Sequence, residues 1–170
     1  MEINAVVNTG KIHAMKVYPS LIDRLKTQHQ TIENILAAID FRRITTRPQP
    51  NKWSIHDNIA HLVRYQLIFI DRINQILLKE TPSFGRYKAE EDPEFENWRA
   101  LNIDTLIKQL HTERRTIYDL VTTLTEARIN RVGIHKKYGS LNIIQWTEFF
   151  LLHEAHHIFT IFQLAHDTEL

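Results

Sequence analysis

The chain has 170 residues, 43% of them hydrophobic and 24% charged, and its 21 basic and 20 acidic side chains leave a formal net charge of +1. This is the composition of an ordinary soluble globular protein and predicts one domain over residues 1–170, while a balanced charge gives no basic face for nucleic acid. The absence of cysteine removes disulfides, thiolate ligands and a cysteine nucleophile, so histidine and carboxylate are left to carry any metal chemistry.

Met1 to Ser20 has no apolar signal-like region, and no apolar run approaches the roughly 20 residues of a membrane span, so a cytoplasmic protein without a membrane partner is expected. From residue 21 the positions Leu21, Ile22, Leu25, Ile32, Ile35, Leu36 and Ile39 recur at spacings of three and four, which predicts a first helix over 21–40. The polar stretch "RPQPNK" ends it. In "WSIHDNIAHL" Ser54 is a good N-cap with Asp57 three residues on, and the stripe Ile55, Ile59, Leu62, Phe69, Ile73, Ile76 extends a second helix over 54–79. The segment "TPSFGRYKAEEDPEFENW" breaks the periodicity and is the longest irregular connection. Its Phe84, Tyr87 and Phe95 read as exposed rings, which points to a homodimer.

Leu106, Leu110, Ile117, Leu120 and Leu124 mark a third helix over 98–124. In "NRVGIHKKYGSLNI" the residues Val132, Ile134 and Tyr138 suggest a short hairpin or extended excursion, with Gly139 turning the chain into a last helix over 141–166. The five prolines all fall outside the periodic segments. The fold class is therefore all-α, an up-and-down four-helix bundle with that excursion before the last helix.

The last helix carries "HEAHHIFTIF". Ile143, Trp146, Phe150, His153, His157, Thr160 and Leu164 alternate at three and four, a seam facing the bundle core. His153 and His157 are about 40° apart around the helix axis and roughly 6 Å apart along it, so both imidazoles reach one ion. Two neutral imidazoles side by side in a core have no evident structural advantage, whereas together they form a metal platform. His156 lies about 100° away from His157 and belongs to a flank, at most behind the ligands. His61, two turns into the second helix beside Ile59 and Leu62, is the better third ligand; His56 in the first turn reads as solvent-facing, and His13, His29, His111, His135 and His166 read as surface residues. "HEAHH" also satisfies H-E-x-x-H, but no downstream helix offers the usual third ligand and a strand-poor sequence has no sheet edge for a peptide.

"NKWSIHDNIAHLVRYQ" and "YGSLNIIQWTEFFLLHEAHHIFTI" resemble the two signature regions of the DinB-like (DNA-damage-inducible) four-helix bundles, which include the bacillithiol S-transferases and are related to mycothiol-dependent maleylpyruvate isomerases. The resemblance spans most of the chain in the expected order. It implies a histidine ligand on the helix after Trp-Ser, here His61, and an H-x-x-x-H pair on the last helix, here His153 and His157. Glu154 stands where the family commonly has an acidic residue, and His156 repeats a double histidine often seen there. The bulky "IFTI" that follows departs from the family's usual polar residue and Gly-Gln.

Three neutral histidines leave a dication with an open position, the arrangement of catalytic rather than structural sites, and zinc or nickel fits first, with cobalt, iron and copper also suited to imidazole. The open position takes water, for hydrolysis, or a low-molecular-weight thiol, which must come from outside a chain that has no cysteine. Beside His153, Glu154 either orients an imidazole or accepts a proton, or is a solvent-exposed helical glutamate. The functional expectation is a metal-dependent enzyme acting on a small molecule, S-transferase-like or isomerising with thiol assistance. A metal-dependent hydrolase and a non-catalytic metal-binding bundle are the alternatives.

Overall fold

Capping chemistry sets where the helices begin. Asp57 N–H donates to Ser54 Oγ at 3.1 Å and Ser54 N–H to Asp57 Oδ2 at 3.0 Å, closing the reciprocal cap expected there. A computed structural model of the chain describes residues 17–168. In chain order the helices are α1 (Pro19–Thr27), α2 (Thr31–Leu36), α3 (Phe41–Thr45), α4 (Ile55–Leu78), α5 (Phe95–Arg99), α6 (Ile103–Thr122), α7 (Glu126–Ile129) and α8 (Ile143–His166). Asn102 caps α6 through Thr105 N–H at 2.9 Å, which moves that start from the expected residue 98 to 103. Asn142 and Gln145 form a second reciprocal cap that opens α8. The first predicted helix is divided, since a 3-10 turn at Gln28–Gln30 joins α1 to α2 and turns His29 into the core.

The expected hairpin is present as β2 (Val132–His135) and β3 (Gly139–Asn142), antiparallel, with β1 (Ser83–Phe84) added in parallel to β2. Gly139 takes φ 77° at the hairpin turn rather than at the helix entry, a conformation that costs glycine little.

Side-chain pairing fixes the direction of each helix. Gln66 on α4 donates to the Leu110 carbonyl at 3.0 Å and accepts from Arg114 Nε at 3.0 Å, and the strands that follow α4 and α6 pair in parallel, so these two helices run the same way. Tyr65 and Phe69 stack on Phe150 while Asn58 meets His157, so α8 runs against α4. Arg24 pairs with Glu148 and Gln28 with the Leu151 carbonyl, which sets α1 parallel to α8. The four-helix bundle is present, and it departs from simple up-and-down order at one link, between α4 and α6. Residues 79–102 carry the chain back along the bundle so that α6 starts level with the start of α4.

That return path explains the three aromatic residues expected to be exposed. Phe84 and Phe95 are buried and Tyr87 is half-buried, because a segment crossing the bundle needs apolar anchors against α4. Two of the three rings from which a dimer was expected are therefore packed inside the chain, and the third is half-covered. Among the described residues no helix is long and apolar enough to cross a membrane.

Candidate metal centre

His61 sits on α4 between the two main groups of core residues, and the antiparallel α8 brings His153 and His157 against it. One nitrogen from each of the three imidazoles lies within 4.8 Å of the others. Nε2 of His61 and Nε2 of His153 stand 3.2 Å apart. Two nitrogens on one tetrahedral zinc, each about 2.05 Å from it, stand about 3.3 Å apart, so this spacing is that of a shared ion. The Nδ1 atoms of His61 and His153 are buried and have no hydrogen-bond partner. With the ring protons on these Nδ1 atoms, the two neutral rings turn Nε2 lone pairs on one another at 3.2 Å, an arrangement that needs a cation between them. The donor set thus fits a divalent ion.

Burial keeps all three neutral. His61 is pushed down to about 2, by burial first and then by His157 and His153. His153 is lowered to about 3 by burial, then by His157, His156, Arg72 and Arg86, and His157 to about 4 by burial and His156. Neutral rings present the lone pairs that a metal requires at physiological pH. The unfolded chain would take up protons near pH 6.5 that the fold refuses, so the stabilising effect of these groups is complete above that value and is lost progressively as pH falls through about 4 toward about 2. The metal-free protein is accordingly expected to show a falling melting temperature from pH 7 to pH 5 in calorimetry. A flat profile would mean that the three rings are already charged or solvated.

Asn58, one turn before His61, is a functional candidate that sequence reasoning missed. Its Nδ2 donates to the Ser54 carbonyl at 2.8 Å, which leaves Oδ1 to accept from His157 Nδ1 at 2.8 Å and holds the lone pair on His157 Nε2. No local signal marked it, since its burial at 2% exposure follows from the packing around α4. Asn58→Leu is expected to weaken zinc binding by about 10–100-fold with the helix content retained, measured by competition with a chromophoric chelator. Unchanged affinity would assign Asn58 to helix capping alone.

The other candidates separate. His156 is exposed, its ring edge-on to His157 at 5.3 Å, and it is not part of the three-nitrogen cluster. Glu154 is 1% exposed and faces away from the imidazoles: Oε1 is ion-paired to Arg114 and Oε2 accepts from Gln28 at 2.9 Å. The expectation of a solvent-exposed glutamate is corrected, because α8 is covered by α4 on one side and by α1 and α2 on the other, and the carboxylate's partners are Arg114 and Gln28 rather than an imidazole. Two histidines read as surface residues are also buried, His29 against His111 and His135 beside Trp146 and Phe149. His56 is half-buried and meets the Leu101 carbonyl at 2.8 Å. His111 pairs with Glu33 at 2.8 Å, His166 is exposed, and His13 lies outside the described residues.

A cavity of about 700 Å³ opens onto the cluster. Trp53, Tyr87 and Tyr65 ring His61 with centroids at 5.0, 5.7 and 5.9 Å, an apolar wall that strengthens electrostatics inside. Arg72, Arg86, Lys136 and Lys137 make the other side cationic.

Compared with known proteins, residues 24–161 match the family model of the DinB superfamily. Among solved structures, YfiT from Bacillus subtilis, described as a probable metal-dependent hydrolase with an unusual four-helix bundle topology, superposes with a TM-score of 0.71 at 18% identity over 86% of this chain and 84% of that one. The DinB-like protein YjoA from Bacillus subtilis superposes with a TM-score of 0.56 at 13% identity, covering 89% of this chain and 94% of that one. No curated protein matches the chain.

Proposed function

The chain belongs to the DinB superfamily, and on that premise we propose that it is a single-domain, metal-dependent enzyme whose ion is held by His61, His153 and His157. The observation that carries this reading is the convergence of three neutral imidazoles, two of them with Nε2 atoms 3.2 Å apart, on the wall of one cavity. Zinc or nickel suits such a set. A divalent ion there acts as a Lewis acid, lowering the pKa of a thiol or a water bound at its open position.

We take the reaction to be transfer of a low-molecular-weight thiol to an electrophile, or a thiol-assisted isomerisation. Two features of the chain support it. It has no cysteine, so sulfur comes from outside, and the carboxylate next to His153 on the ligand helix, Glu154, is consumed by Arg114 and Gln28. With no carboxylate among the described residues hydrogen-bonded to the three imidazoles, the site favours a nucleophile that needs little help in losing its proton, and a thiol near pKa 8.5 is far closer to that than water at 15.7. Trp53, Tyr65 and Tyr87 give an apolar electrophile a wall to lie against. Hydrolysis is the second reading, favoured by the description of YfiT as a probable metal-dependent hydrolase.

The test is turnover of haloarene and epoxide electrophiles by zinc- or nickel-loaded protein with bacillithiol, mycothiol, glutathione or coenzyme A, with His61→Ala as control. A rate that needs both metal and thiol supports transfer. Metal-dependent ester or amide cleavage that ignores thiol would move the assignment to the hydrolase.

A further inference from the structure

The described residues include two buried arginines, and they are treated differently by the fold. Arg114 faces Glu154, whereas Arg72 on α4, 7% exposed, has no carboxylate partner among the described residues. Its Nη2 donates to the Gly85 carbonyl at 2.9 Å, its Nη1 is 3.5 Å from the Tyr65 hydroxyl, and the rings of Tyr65, Phe84 and Trp146 flank it at 5.7 to 5.9 Å. A guanidinium withdrawn from water and left with neutral neighbours is short of a counter-charge.

Arg72 lines the cavity that contains the three imidazoles, and so does His135. His135 Nδ1 accepts the main-chain N–H groups of Lys137 and Tyr138 at 3.1 and 3.2 Å, which places the ring proton on Nε2. That N–H donates to no group among the described residues. Towards the mouth, Arg86, Lys136 and Lys137 also lack carboxylate partners among the described residues; Lys88 is tied to Glu91 at 2.6 Å, and Glu90 is the one acid lining the cavity. Two inward donors and three further cations face a space with a single exposed carboxylate at its edge.

We propose that this end of the cavity binds the oxyanion group of a small substrate or co-substrate, a carboxylate or a phosphate, with Arg72 as its counter-charge and His135 Nε2 as a second donor. The planar guanidinium suits both groups because its N–H donors match two oxygens at once. The proposal deepens the metal-dependent reading and rests on it for what the cavity serves, but the subsite is built from residues other than the three ligands. Acid group and reacting centre are thereby separated within one pocket, so a molecule anchored through its oxyanion presents its other end to the imidazole cluster.

Isothermal titration of the full chain with succinate, inorganic phosphate and the neutral isostere succinamide, after chelation and again after zinc loading, tests it. Succinate or phosphate is expected to bind the chelated protein, to weaken as salt is raised, and to lose about tenfold or more in affinity in Arg72→Lys, which keeps the charge but not the fork. Preference for one acid over the other identifies the group. Succinamide binding as well as succinate overturns the proposal and needs no variant, so it stands as a test even if Arg72→Lys unfolds. Anion binding that appears only with zinc and is indifferent to Arg72→Lys also overturns it, leaving the metal reading intact, as does binding of neither acid in either state. Arg72-dependent succinate binding by a protein that takes up no zinc would instead uphold the subsite and sink the metal reading.

Discussion

Replacing His61 by alanine is expected to abolish stoichiometric zinc binding, with a loss of about a hundredfold or more in affinity, because two imidazoles from one helix cannot enclose an ion that the fold closes with a third from α4. His153→Ala and His157→Ala should do the same. His156→Ala should not, since that ring is exposed and outside the cluster. Competition with a chromophoric chelator on untagged protein measures all four. The stability readout is more diagnostic than the affinity alone. In the metal-free state His61→Ala removes an imidazole whose buried Nδ1 has no partner, so the loss of packing is offset by relief of an unsatisfied polar group. Its metal-free melting temperature should stay near that of the parent, while the rise on adding zinc, seen in the parent, should disappear. A variant that still binds one zinc tightly would remove the three-histidine centre.

Much of this centre was legible because it depends on helix period alone. The three and four spacing of α8 puts Trp146, Phe150, His153 and His157 on one stripe, and the Ser54 cap fixes where α4 begins and hence where His61 stands along it. What was not legible depends on which helix lies against which. Period places Glu154 about 100° from His153, but whether that face meets solvent or protein is decided by α1 and α2, whose packing against α8 no local pattern encodes. His135 was misread for a related reason: within a hairpin, alternation assigns faces, but only the neighbouring Trp146 and Phe149 show which face is inside.

Helix direction was hidden as well. A connection as long as residues 79–102 permits α6 to run with or against α4, and the choice is recorded in long-range pairs such as Gln66 with Leu110 and β1 with β2. Arg72 and Asn58 looked like ordinary polar positions on an amphipathic helix. Their significance appears only once α4 is found to be buried on most of its circumference, where each polar side chain must be given a partner.

Glu154→Ala is expected to be the most destabilising single change in this region, lowering the free energy of unfolding by about 3–5 kcal/mol, because it strips Arg114 of its counter-charge at 2% exposure. Arg114 reaches further than one pair. Its Nε donates to Gln66 at 3.0 Å and its Nη1 approaches the Leu25 carbonyl at 3.4 Å, so α1, α4, α6 and α8 meet at this guanidinium, while Gln28 brings the other oxygen of Glu154 to the end of α1. Urea unfolding with Arg114→Met, Glu154→Leu and the double variant separates burial from pairing. Each single change leaves one ion or one polar group exposed to an apolar interior, whereas the double change removes both, so the double variant should be more stable than the sum of the singles predicts. Zinc affinity of the folded Glu154→Leu protein should differ little from that of the parent, since neither carboxylate oxygen is hydrogen-bonded to an imidazole. The opposite result, full stability with impaired zinc binding or turnover, would return Glu154 to the reaction and require α8 to turn in solution so that its carboxylate faces the cavity.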